Sequence, residues 1–176
     1  TDKLTHLPSA LSRLEKTGVV NYEKVLEIGA VGMAARMSGL ARDIRTSHPF
    51  NLYGNLINND PVIKHHGDVY SRVQIRKYEI LQSLEYLKTL LKNIPAFPEY
   101  TEKTIVPSAN NFAISLVEGW RGEICHCAIT DEAGKLIMYK IKDPSHHNWM
   151  VLAQAVRSNE ISDFPICNKS FNLSYC

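Results

Sequence analysis

The stretch DVYSRVQIRKYEILQSLEYLKTLLKN, residues 68–93, decides the fold. Tyr70, Val73, Ile80, Leu84, Leu87, Leu91 and the following Ile94 recur in steps of three and four, with only Lys77 interrupting the row. That spacing stacks side chains on one face of a helix. Ile75, Tyr78, Leu81 and Leu90 widen the stripe, so the helix is expected to be packed on more than one side within a helical domain. Asp68, after Gly67, is the expected N-cap, and Pro95 the stop.

Upstream, Leu7, Leu11 and Leu14 mark a short helix that breaks at Thr17-Gly18. The run NYEKVLEIGAVGMAARMSGLARDIR reads as two or three short helices opened by Asn21. Gly29, Gly32 and Gly39 point to backbone packed closely, against another helix or against a ligand. The polar loop after Pro49 closes on His65-His66, read as solvated loop residues. Downstream, the proline-rich NIPAFPEYTEKTIVPS is expected to cross in extended form.

The period then shortens to two. Phe112, Ile114 and Leu116, then Ile124, His126 and Ala128, then Leu136, Met138 and Lys140 alternate with their neighbours, with the turn DEAG before the last run. About three antiparallel strands over 110–142 follow. A helix from about Ser145 should carry Trp149, Leu152, Ala153 and Val156 on one face, and 161–176 reads as irregular. The expected fold class is α+β, mainly α: a helical core around one long helix (68–93) with a small antiparallel sheet (110–142).

The totals exclude several classes. A net charge of +2 carries no excess basicity, so nucleic acid is not an expected partner. No run approaches the ~18 apolar residues of a membrane span, and the first residues lack the apolar core of a secretory signal. The chain is expected to be soluble and cytosolic. Of the four cysteines, Cys125, Cys127, Cys167 and Cys176, none forms the paired spacing of structural zinc. Cys125 and Cys127 would share one strand face, as small buried hydrophobes rather than ligands of a zinc site completed by a histidine. His126, His146 and His147 are read as polar surface residues. The 176 residues suit one domain.

Three stretches together resemble the large subunit shared by nickel-iron hydrogenases and respiratory complex I. The nearest likeness is to formate hydrogenlyase-type hydrogenases and the quinone-facing complex I subunit. GVVNYEKVLEIGAVGMAARMSGLARDIRTSHPFNLY carries the family pattern at Arg36, Ser38, Gly39, Asp43, Arg45, Pro49, Phe50 and Tyr53. VEGWRGE, residues 117–123, resembles the family's Glu-x-Pro-Arg-Gly-Glu turn, and YKIKDPSHHN its basic run at Lys140, Lys142, Pro144 and Asn148. The likeness covers nearly the whole chain but only the C-terminal portion of the family's subunit.

The resemblance implies a nickel-iron large-subunit-like fold and a large-subunit fragment of an oxidoreductase, hydrogenase-like or NADH dehydrogenase-like, inactive alone. Arg121, Asp43 and Arg45 become the candidate catalytic residues. Arg121 would project its guanidinium over the metal pocket, or fix its turn by pairing with Glu123, Asp43 or Glu118. Asp43 and Arg45, two apart, should point to different helix faces rather than pair.

In catalytic relatives two Cys-x-x-Cys pairs hold nickel. The N-terminal pair would lie upstream of Thr1. The C-terminal pair would fall on Leu173 and Cys176, or on Cys167 and Ser170, and either register lacks one thiolate. Cys176 and Cys167 are thus the candidate metal ligands of a degenerate site. No cofactor is expected in this chain, and a nickel-iron centre is not expected even in the full-length protein. The resemblance further implies an iron-sulfur small subunit carrying the clusters, membrane subunits and quinone as partners, at the cytoplasmic inner face of the cell membrane. The alternatives are a non-catalytic scaffold, or a true nickel-iron hydrogenase using an upstream cysteine pair and an altered ligand set.

Overall fold

The computed structural model describes residues 4–55, 57–92, 94 and 106–175. Among them lie eight α-helices and three strands: α1 (Pro8–Leu14), α2 (Tyr22–Ile28), α3 (Met33–Arg36), α4 (Ile44–Ser47), α5 (Leu52–Asn55), α6 (Val69–Lys92), β1 (Phe112–Gly119), β2 (Gly122–Thr130), β3 (Leu136–Lys142), α7 (Ser145–Ala155) and α8 (Phe164–Phe171). The α+β, mainly helical architecture expected from the sequence is the one the chain adopts.

Two helix starts follow from side-chain chemistry. Asn21 Oδ1 accepts from Lys24 N at 3.0 Å and opens α2. Asp68 Oδ1 accepts from Ser71 N at 2.8 Å and opens α6, while its second oxygen holds Lys16 N at 3.0 Å. Each satisfies an amide that the first helical turn leaves without an intrahelical acceptor.

Helix α6 is packed unevenly. Val69, Arg72 and Ile75 are buried, and α1, α3 and α8 lie against this helix. Beyond Ile75 no position is fully buried, and Ile80, Leu81, Leu84, Leu87 and Leu91 are exposed. The expectation of packing on more than one side therefore holds only for the first two turns. The apolar core lies at that end, where Val25, Ala34, Met37, Val69, Ile75, Val151, Ala155 and Phe171 form one cluster.

Helix α7 buries Asn148, Val151, Leu152 and Ala155, a face offset from the expected one, and Ala153 is exposed. The expected irregular tail contains α8, because Pro165 sits in its first turn, where a missing N–H costs nothing. The polar loop likewise holds the short α5. The expected proline-rich crossing falls mostly on residues 93 and 95–105, outside the described residues.

The sheet is antiparallel in the order β1-β2-β3, with Glu118 opposite Glu123, Leu116 opposite Cys125 and Cys125 opposite Lys142. Ile114, Val117, Ile137, Tyr139 and Ile141 are exposed. Cys125 and Cys127 share a face but are half-buried rather than buried, because no described element covers it. The sheet meets the helical body at the β1–β2 turn and where β1 packs on α4. Gly32, at φ +60, lies so close to that turn that an added Cβ would stand 2.3 Å from Gly122 Cα. The small residues of the α2–α3 segment thus admit a β-turn, where the sequence suggested a helix or a ligand. Asn148 ties the junction by accepting from Val31 N (3.1 Å) and donating to the carbonyls of Val31 (3.2 Å) and Arg121 (3.0 Å).

Candidate functional site

Two charge centres flank the β1–β2 turn. The first gathers around Arg36, which is 2% exposed at the end of α3. Its Nη1 donates to Glu118 Oε1 at 3.0 Å and to the Arg42 carbonyl at 2.9 Å, and its Nη2 to Glu79 Oε1 at 2.6 Å. Asp43, 1% exposed, lies 3.4 Å from the same guanidinium. Arg45 grips Asp43 with two bonds, Nε to Oδ1 at 2.9 Å and Nη2 to Oδ2 at 2.6 Å, and reaches Glu79 at 3.4 Å. The expectation that Asp43 and Arg45 would not pair is overturned. Asp43 is the extended N-cap of α4 (φ −154, ψ 120), so helical facing does not apply to it, and its side chain folds onto both Arg45 N and the Arg45 guanidinium.

Three carboxylates here share two guanidiniums, and they do not share evenly. Burial raises the Asp43 carboxyl, but the Arg45 hydrogen bond and the Arg36 and Arg45 charges outweigh it and leave it below its ordinary value. Glu118, although bonded to Arg36 and to Ile44 N (3.2 Å), is held above its ordinary value by burial, with the Asp43 charge adding to the rise. An open cavity of about 320 Å³ beside them is lined by Arg36, Arg45, Glu79, Ser83, Glu118 and Trp120.

The second centre is the end of α8. Arg72 is fully buried on α6; its Nε donates to Ser170 Oγ at 2.7 Å, its Nη1 to the carbonyls of Gly18 (3.1 Å) and Gly67 (3.0 Å), and its plane lies 4.3 Å over the Phe171 ring. Its Nη2 has no hydrogen-bond partner among the described residues. Burial pushes this guanidinium down to about 9. One turn on, Arg76 donates to the carbonyls of Ser170 and Phe171 and lies over Trp120. Arg121 donates from Nε to the Asn172 carbonyl. Three cations thus meet the carbonyl end of α8, where a helix presents partial negative charge.

Arg121 lies in the β1–β2 turn. It does not pair with Glu123, Asp43 or Glu118; Arg42 takes Glu123 at 2.8 Å, and Arg36 takes the other two. Its side chain turns instead toward the tail that carries the candidate ligands. There Cys167 is buried, and Ser170 Oγ accepts from Arg72 and donates to the Cys167 carbonyl at 2.6 Å. Leu173 is buried, and Cys176 lies outside the described residues. Trp149 Nε1 holds the Ser174 carbonyl at 3.1 Å, and Ser145 Oγ accepts from Ser174 N at 3.0 Å.

Arg72, Arg76 and Glu79 were not recognised as site residues in the sequence. Their signal was there: positions i, i+4 and i+7 place polar groups on one face of α6 inside an apolar run.

The family described as respiratory-chain NADH dehydrogenase, 49 Kd subunit, matches residues 2–113, and the chain belongs to it. Within that class, it is 31% identical over 175 residues to formate hydrogenlyase subunit 5 of Escherichia coli (strain K12), covering 99% of this chain and 30% of that protein. It is 36% identical over 137 residues to hydrogenase-4 component G of the same organism, covering 77% of this chain and 24% of that one. A chain in the structure of the membrane-bound sulfane sulfur reductase, an archaeal respiratory membrane complex, superposes with a TM-score of 0.86 at 27% identity, over 99% of this chain and 48% of that one. The chain therefore spans less than half the length of these relatives. Among the described residues no helix is long and apolar enough to cross a membrane.

Proposed function

We propose that the chain is the C-terminal portion of the large subunit of a membrane-associated electron-transfer complex of the hydrogenase or NADH dehydrogenase type. In this reading it carries no nickel-iron centre, sits beside an iron-sulfur small subunit at the cytoplasmic face, and serves electron transfer to quinone. Family membership supports the complex type. Arg72 carries the metal-free reading.

In the Cys167/Ser170 register, a cation would lie against a buried guanidinium that has no carboxylate in hydrogen-bond contact among the described residues. The Ser170 hydroxyl is already used both as donor and as acceptor. In the other register Leu173 has no donor atom. These residues do not fit a soft dithiolate metal pair.

What remains is charge and proton chemistry. Glu118, raised and beside the open cavity, is the group best placed to take up and release a proton, with Arg36 and Arg45 fixing its surroundings. Arg76 and Arg121 position the tail. The test is quinone-dependent electron transfer in the complex purified with its partners, for wild type and Glu118→Gln. Quinone reduction that falls ~10²-fold in the variant supports the reading. A complex that reduces no quinone makes the subunit a scaffold, and a rate unchanged by the substitution removes Glu118 from the proposal.

A further inference from the structure

Cys125 and Cys127 take no part in either charge centre. Both lie on one face of the central strand β2, half-buried, with Lys142 directly across from Cys125 and Lys140 across from Cys127. Their sulfurs stand 3.7 Å apart. A disulfide suits this arrangement poorly. Alternate residues of a strand lie about 6.6 Å apart with parallel Cα–Cβ bonds, at the outer limit of the ~6.8 Å a disulfide spans, and its Cβ atoms must converge to about 3.8 Å.

A shared cation suits it well. Two thiolates each held ~2.3 Å from one tetrahedral metal ion stand about 3.8 Å apart, which is the separation already present. We infer that Cys125 and Cys127 form a two-thiolate site for a thiophilic cation of the zinc or cadmium class, open on its solvent side. Among the described residues no third histidine, cysteine or carboxylate completes a ligand set. Water or a group on a docked molecule therefore fills the remaining positions, and the bound ion exchanges readily. A thiol must shed its proton to ligate, so loading releases protons and tightens as pH rises. This site is independent of the reading proposed above.

The test is titration of the chain with Cd²⁺, followed by thiolate-to-cadmium charge-transfer absorption, for wild type, Cys125→Ser and Cys127→Ser. One equivalent should bind to wild type, with affinity falling at least ~10-fold in each variant and protons released on binding. Equal affinity in wild type and both variants, or no charge-transfer band near stoichiometric Cd²⁺, would overturn the proposal. A second measurement needs no variant: Zn²⁺ should protect Cys125 and Cys127 together from maleimide alkylation, read by peptide mass. Unchanged labelling of both would also overturn it.

Discussion

Helix α6 serves two charge centres of opposite composition. Through Glu79 it enters a cluster of three carboxylates and two guanidiniums; through Arg72 and Arg76, two turns and one turn earlier, it enters a cluster of cations facing carbonyls and a hydroxyl. The same residue type behaves differently in each. Arg45, closed on Asp43 and near Glu79, is raised despite burial, whereas burial takes Arg72 down, no carboxylate among the described residues being in hydrogen-bond contact with it. An arginine's charge is secured by its counterion rather than by its number of hydrogen bonds.

That contrast should appear first as unequal stability losses. Arg36→Leu strands Asp43, Glu79 and Glu118 with one guanidinium between them, and should cost about 3–5 kcal/mol in urea unfolding. Arg72→Met removes a buried cation that has no carboxylate in hydrogen-bond contact among the described residues. The cost should be about 1–3 kcal/mol, mostly the Ser170 and carbonyl bonds left unmade. Equal losses from the two substitutions would break the comparison.

The carboxylate centre can be sharpened by pH. Glu118 is raised in the folded state, so its contribution is fully present below the ordinary carboxylate value and is lost as pH rises through the folded one. Asp43 is lowered, so its contribution is present above the ordinary value and is lost as pH falls through the folded one. Glu118→Gln, compared with wild type in denaturation series from acid to neutral pH, should therefore become relatively more stable as pH rises. Asp43→Asn should become relatively less stable over the same range. The smallest effect belongs to the far half of α6, where Leu87→Ala should change unfolding by less than about 0.5 kcal/mol, since Leu87 is 54% exposed.

Periodicity and capping chemistry made α6, its Asp68 cap, the Asn21 cap and the three strands readable before any coordinates. Local period says where an apolar face lies but not how far along it neighbours reach, so the exposed end of α6 was not readable. The Asp43–Arg45 pair was misread because helical facing was applied to a residue that caps the helix from outside. Helix α8 was hidden because Pro165 and Asn168 suggest turns unless the first-turn position of proline is recognised. The resemblance brought Arg36, Asp43, Arg45 and Arg121 forward as a set. The spacing of Arg72, Arg76 and Glu79 marks one polar face of α6, but which groups that face meets depends on the long-range packing of α6 against α3 and α8, which no local pattern encodes.

On the metal-free reading proposed above, Arg72 and Ser170 occupy the place where a soft metal pair would need a second thiolate. The most direct test is the nickel and iron content of the full-length subunit, purified from its source with its partners. No stoichiometric nickel is expected, with iron confined to the iron-sulfur partner. One nickel per subunit would contradict that reading, and would make Cys176 and Arg121 the residues to examine next.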